Sequence, residues 1–299
     1  MASSRRALSF IAAVALLAAA GAARAESLAF SHAGTVYKDA TGGALKAPEG
    51  VACTDSGRFV VADTGNARLL VYSAKDGKIG GGTEIKLPQL QHPLRVQIDS
   101  KGNVLAFDSK TRRIVKVDAN GAFGGNLELQ GAAGELKLAA FKLDATDNVV
   151  ALDLAGRRVL VADAAGKVTR EVPLPEGAVA TDVAVDGSGT IYAIDPVGGT
   201  LWSASRDAAS FTALVKRLQD LMSFGMYVTA WQGKIIVVDQ NGSGLVILGP
   251  DGGFLGRRLS IGWTDGLVNY PAQVCLQSTG LAFVTDRFNN RVQLFNVEK

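Results

Sequence analysis

The stretch "VVADTGNARLLVY", Val60 to Tyr72, decides the fold. Three apolar or small residues run into Asp63, the chain turns on Thr-Gly-Asn, and Arg68 opens a second apolar run. This reads as a β-hairpin with a carboxylate on one side of its turn and a guanidinium on the other. An apolar triplet ending in Asp recurs at Asp108 ("LAFD"), Asp153 ("VALD"), Asp195 ("YAID"), Asp239 ("IVVD") and Asp286 ("FVTD"), in steps of 45, 45, 42, 44 and 47 residues. Chance does not hold that spacing over most of a chain. A second marker keeps the register. Six positions before each Asp stand Gly57, Gly102, Asp147, Gly189, Gly233 and Gly280, residues suited to a tight turn.

Around these markers each repeat contains four short β-like runs. In the first they are "GVAC", "RFVVAD", "RLLVY" and "TEIKL". A lone four-stranded antiparallel sheet has two apolar faces to cover. Six such sheets stacked around an axis cover both faces of each and close the ring. The expectation is therefore an all-β, six-bladed β-propeller of four-stranded antiparallel blades. The last repeat stops at "VQLFNVEK" without a fourth strand, and "SLAFSHAGTVY" is a surplus strand before the first. The surplus strand completes the last blade and removes an open edge.

The units "APEGVACTDSGRFVVADTGNARLLVYSAKDG" and "YPAQVCLQSTGLAFVTDRFNNRVQLFNV" resemble NHL repeats. Repeats one and six carry the pattern well, two and three in part, and four and five in degenerate form. The resemblance implies the propeller fold over nearly the whole chain and says little about function.

Residues 1–25 read as a signal peptide. Arg5 and Arg6 precede the apolar "ALSFIAAVALLAAAGA", and "ARA" ends the segment at Ala25 as a small-residue cleavage site. The propeller is then residues 26–299, in the periplasm or outside the cell, as a monomer with no membrane span. Without Arg5, Arg6 and Arg24 the chain has 28 basic and 28 acidic residues. The pI of about 8.8 therefore reflects the leader. A neutral chain lacks the compositional basis for nucleic-acid binding.

Five residues after the turn Asp stand Arg68, Arg113, Arg158 and Arg291, while blades four and five have Thr200 and Gly244. An exposed Asp–Arg pair of this kind is worth ~0–1 kcal/mol. All the Asp turns fall on one face, the face of the links between blades. On it Arg68, Lys110, Arg112, Arg113, Arg157, Arg158, Arg287 and Arg291 form a basic arc over blades six, one, two and three. The link Ser260 to Pro271 adds Trp263 and Tyr270. The leading functional expectation is a non-catalytic scaffold that binds another envelope protein through this face, without cofactor. The alternative is an enzyme or small-ligand binder, lactonase- or lyase-like, at the channel mouth, where the positions entering the innermost strands offer Glu49, Arg95, Asp182 and Gln273. The metal-binding carboxylate set of lactonase-type propellers and the histidine-rich site of lyase-type ones are not reproduced, with only His32 and His92 available. Cys53 and Cys275 fall on the innermost strands of adjacent blades, and two buried free thiols are the expected state.

Overall fold

The computed structural model describes residues 28–298; the signal-peptide reading falls outside them. Six four-stranded antiparallel sheets account for every strand among the described residues. The innermost strands are Gly50–Cys53, Pro93–Ile98, Leu138–Leu143, Asp182–Val185, Gly225–Trp231 and Pro271–Leu276. Within each blade the second and third strands pair so that the turn Asp faces the position five residues on: Asp63 opposite Arg68, Asp108 opposite Arg113, Asp153 opposite Arg158, Asp195 opposite Thr200, Asp239 opposite Gly244, and Asp286 opposite Arg291. Gly57, Gly102, Gly189, Gly233, Gly280 and Asp147 all adopt positive φ in the opposite turns, as that hairpin geometry requires.

Ring closure follows the surplus strand. Ala29–Val36 lies antiparallel against Arg291–Glu298 and becomes the outermost strand of blade six. The first and last described strands are thus hydrogen-bonded to each other, and opening the ring breaks a full strand pair.

Alternation along each strand divides the core. In blade one, Val60 and Ala62 pack toward blade two, while Phe59 and Val61 pack toward blade six. The same rule fills all six gaps between blades with aliphatic side chains. No apolar residue is needed on the axis, so the channel is free to hold polar groups.

A disulfide joins Cys53 to Cys275, with Cα atoms 5.9 Å apart. This corrects the expectation of free thiols. The innermost strands are the closest parts of adjacent blades, and there the gap falls within bridging distance. The bond crosses the seam between blades six and one, the same seam that the outermost strand closes on the periphery.

Candidate functional site

The six turn aspartates are fully or almost fully buried, which the hairpin reading did not foresee. Each accepts hydrogen bonds from backbone N–H groups of the link entering its own blade, about one-third of a repeat upstream. Lys46 donates to Asp63 at 2.7 Å, Gln91 and His92 to Asp108 at 2.6 and 2.5 Å, and Lys137 to Asp153 at 3.0 Å. Val179 donates to Asp195 at 3.0 Å, Ser223 and Phe224 to Asp239 at 3.0 and 2.8 Å, and Asn269 to Asp286 at 2.7 Å. The carboxylate therefore ties the link to the hairpin tip and satisfies donors that the irregular link leaves unpaired.

The basic arc is largely engaged within the protein. Arg68 bonds Asp63 and Asp39 at 2.7 Å and Glu84 at 2.6 Å. Arg291, 2% exposed, bonds Asp286 at 2.6 Å and Asp265 at 3.0 Å. Arg158 bonds Asp153 and Glu171. Arg287 pairs with Glu49 at 3.1 Å and lies over the stacked rings of Tyr270 and Phe288. Arg112 and Arg157 donate to the carbonyls of Leu138 and Pro175. Arg113 is exposed, as is Trp263, at 76%. The pairs made by Asp63, Asp153 and Asp286 are buried at their carboxylate ends, so the weak exposed-pair energy does not describe them.

Blade five solves the missing arginine differently. Arg257, on the outermost strand Phe254–Arg258, reaches Asp239 at 2.6 Å. A Cβ at position 244 would lie 2.8 Å from the Arg257 guanidinium, so Gly244 makes the room. The clue in the sequence was Gly244 itself, with Arg257 at the spacing from its Asp that Glu171 holds in blade three.

The channel residues separate. Glu49 stays at the rim, held by Arg287. Arg95, Asp182 and Gln273 are buried inside. Arg95 and Asp182 form no direct ion pair. Instead Asp182 Oδ2 accepts the Val228 N–H at 2.9 Å, and Gln273 Nε2 donates to the Val51 carbonyl at 2.8 Å. The residues not anticipated are Lys142 and Tyr227. Lys142 is buried, and its ammonium lies 3.5 Å from the centre of the Tyr227 ring, which Arg95 also faces at 5.4 Å. A lysine interrupting the apolar run "AFKL" was the available signal.

This cluster is under-satisfied. Lys142 Nζ, Asp182 Oδ1 and Gln273 Oε1 are all buried without a hydrogen-bond partner. Native interiors rarely leave three such atoms together, and a functional site is one place where they occur. Burial pushes the Lys142 pKa down to about 7, with Arg95 acting in the same direction and Asp182 against it. Burial pushes Asp182 up despite Lys142 and Arg95, and pushes the Tyr227 hydroxyl up as well.

Beside Lys142 the channel holds a cavity of about 160 Å³, lined in part by Gln97, Lys142, Tyr227, Thr229, Trp231 and the Cys53–Cys275 bridge. Its wall includes Cys53, Ile98, Leu143, Val185, Trp231 and Leu276, the final residues of the six innermost strands. The cavity therefore opens at the end opposite the Asp turns, which corrects the position expected for the channel mouth. No group of three or more His, Cys, Asp or Glu able to hold a metal occurs among the described residues. Glu49 is committed to Arg287, and Asp182 sits between two basic groups, so the donors present do not fit a divalent cation.

Lys142 makes stability depend on pH. Its amine titrates at 10.5 in an unfolded chain and about 7 in the folded one. Between those values the unfolded state holds the extra proton, so stability rises with pH, at about 1.4 kcal/mol per unit at most. Below the lower value the whole cost of burying the ammonium falls on the folded state. Urea unfolding at pH 7, 8 and 9 is expected to show this rise in the wild type and its loss in Lys142→Met. Parallel curves would mean that Lys142 keeps its proton on folding.

Residues 45–72 match the NHL repeat family. No curated protein matches the chain in sequence. Solved structures do match. A streptogramin B lyase superposes with a TM-score of 0.65 at 10% identity, covering 91% of this chain and 98% of the lyase. A gluconolactonase from Xanthomonas campestris gives 0.65 at 15%, covering 94% and 93%. The WD40 propeller domain of Doa1 gives 0.64 at 14%, covering 91% and 98%. At such identities the likeness establishes the fold. It also corrects the expectation of a non-catalytic module, because propellers that match nearly end to end include a lyase and a lactonase.

Proposed function

We propose that this protein is a propeller enzyme whose site is the central channel around Lys142, and that it hydrolyses a small lactone or related ester by general-base catalysis. The observation that carries this reading is the buried Lys142 amine, unpartnered, beside a cavity and with a pKa of about 7. A base is most useful when its pKa lies near the working pH. In the neutral form Nζ accepts a proton from water as the water oxygen bonds to the ester carbonyl carbon. The tetrahedral intermediate collapses with cleavage of the ring C–O bond, and Nζ returns a proton to the leaving alkoxide. The product acid then ionises onto Nζ, leaving a hydroxycarboxylate beside an ammonium. Arg95 faces the same ring as Lys142 and supplies positive potential for the oxyanion. The lactonase and lyase neighbours support the reaction class by analogy. The disulfide supports an oxidising compartment, periplasmic or extracellular.

Hydrolysis of small lactones of up to four carbons, γ-butyrolactone among them, tests the proposal. The rate is expected to rise with pH through about 7 as Lys142 loses its proton. Lys142→Met is expected to lower kcat by about 100-fold or more. No hydrolysis above background by the wild type, or an unchanged rate and pH profile in Lys142→Met, would overturn it.

A further inference from the structure

The charges in the channel favour a ligand of one sign. Arg95 and Lys142 face one buried ring, and Asp182 is the single carboxylate that acts on both. One Asp182 oxygen is already used by the Val228 N–H. Arg95 donates only a long 3.4 Å bond, to the carbonyl of its neighbour Leu94. Donor capacity therefore exceeds acceptor capacity among these buried groups. With Lys142 protonated the cluster has one positive charge in excess, which a monoanion balances and a cation would worsen.

Size narrows the choice. The cavity of about 160 Å³ is close to the roughly 150 Å³ that admits one benzene molecule. That is room for a group of about six heavy atoms. Gln97 and Thr229 on the wall add neutral hydrogen-bonding groups suited to a hydroxyl.

We propose that the cavity binds a small 2- to 4-carbon monocarboxylate, such as a hydroxy acid, through the Lys142 ammonium, with Arg95 adding positive potential. This rests on the reading of the channel as the reaction site and identifies the product-type acid as its ligand. Binding is coupled to proton uptake. At a pH above about 7 the free amine is mostly neutral, and the incoming carboxylate restores its proton. The groups around that amine are Asp182, Arg95 and the Tyr227 hydroxyl, and burial keeps the last of these protonated.

The test is calorimetric titration of the whole protein with lactate at about pH 8, in two buffers of different ionisation enthalpy. Lactamide, chloride and inorganic phosphate are run in parallel, and Trp231 on the cavity wall provides a fluorescence readout. Lactate is expected to bind with uptake approaching one proton and about tenfold or more tighter than lactamide. Lys142→Met is expected to bring lactate down to the lactamide level. Equal binding of lactate and lactamide would overturn the anion assignment while leaving a small-molecule site in the channel. Chloride or phosphate matching lactate would overturn the carboxylate assignment. Lactone hydrolysis without any lactate binding would overturn this inference alone, whereas neither hydrolysis nor binding would remove the channel site as well.

Discussion

Replacing Cys53 and Cys275 together by serine is expected to cost this propeller up to about 5 kcal/mol of unfolding free energy. The bridge closes a loop of sequence separation 222, most of the described chain. A cross-link over so long a loop removes much of the freedom of the unfolded chain, and the loss grows with the logarithm of loop length. The bridge also lies on the ring seam, where Phe59 packs between Tyr72 of its own blade one and Phe283 of blade six at ring distances of 5.1 and 4.6 Å. Opening that gap exposes a core with three buried aromatic rings. Denaturant unfolding of the wild type, with and without reductant, and of the double variant measures the effect. The reduced wild type and the variant are expected to share a midpoint well below that of the oxidised protein. Coincident midpoints for all three would show that the outermost strand pair closes the ring without help from the bridge.

The second large effect is expected at Asp286. This carboxylate accepts from the Asn269 backbone at 2.7 Å, from Arg291 Nε at 2.6 Å, and from the side chains of Asn289 and Gln293. Asp286→Ala strands the Asn269 N–H and Arg291 Nε, while Asn289 and Gln293 keep the carbonyls of Gly262 and Leu267. It leaves a buried guanidinium with the half-exposed Asp265 as its one carboxylate, beside the Tyr37 hydroxyl and the Thr264 and Leu267 carbonyls. Breaking a buried pair from one side typically costs about 3–5 kcal/mol. Asp195→Ala is the internal comparison. Asp195 is equally buried, but it accepts only backbone N–H groups, from Val179 and Gly198, and has no arginine. Its loss is expected to cost about 1–3 kcal/mol. Adding Arg291→Met to Asp286→Ala is expected to recover part of the loss, since the uncompensated charge goes with it. Equal costs at Asp286 and Asp195 would mean that link tethering, and not the ion pair, dominates at both.

Legibility differed between the two ends of the channel for a physical reason. The Asp-turn face is built from contacts within a repeat: Asp and Arg face each other across one hairpin, and the link that Asp holds lies in the same repeat. The link tether recurs at every blade and the Asp–Arg facing at four of the six, so both leave a periodic trace. The pairing of Asp239 with Arg257 escaped because one blade moved the guanidinium to another strand, breaking the period while keeping the chemistry. The burial of these aspartates also escaped, since a polar residue in a turn reads as exposed until the link folds over it.

The channel cluster leaves no such trace. Lys142, Asp182 and Tyr227 come from three different repeats, each a single polar departure in an innermost strand. Asp182 and Arg95 were visible as candidates, but as rim residues of the wrong opening. Lys142 passed as one charge in an apolar run.

The sequence by itself determined the number of blades, the strand order within each, the turn that aligns them and the strand that closes the ring. These follow from local alternation and from a repeat that must bury both faces of its sheet. Tertiary structure alone decided which side chains meet on the axis, which end of the channel holds the cavity, and that two cysteines far apart in the chain are close enough to bond. Those depend on the distances between innermost strands, which arise only once six blades pack around a common centre.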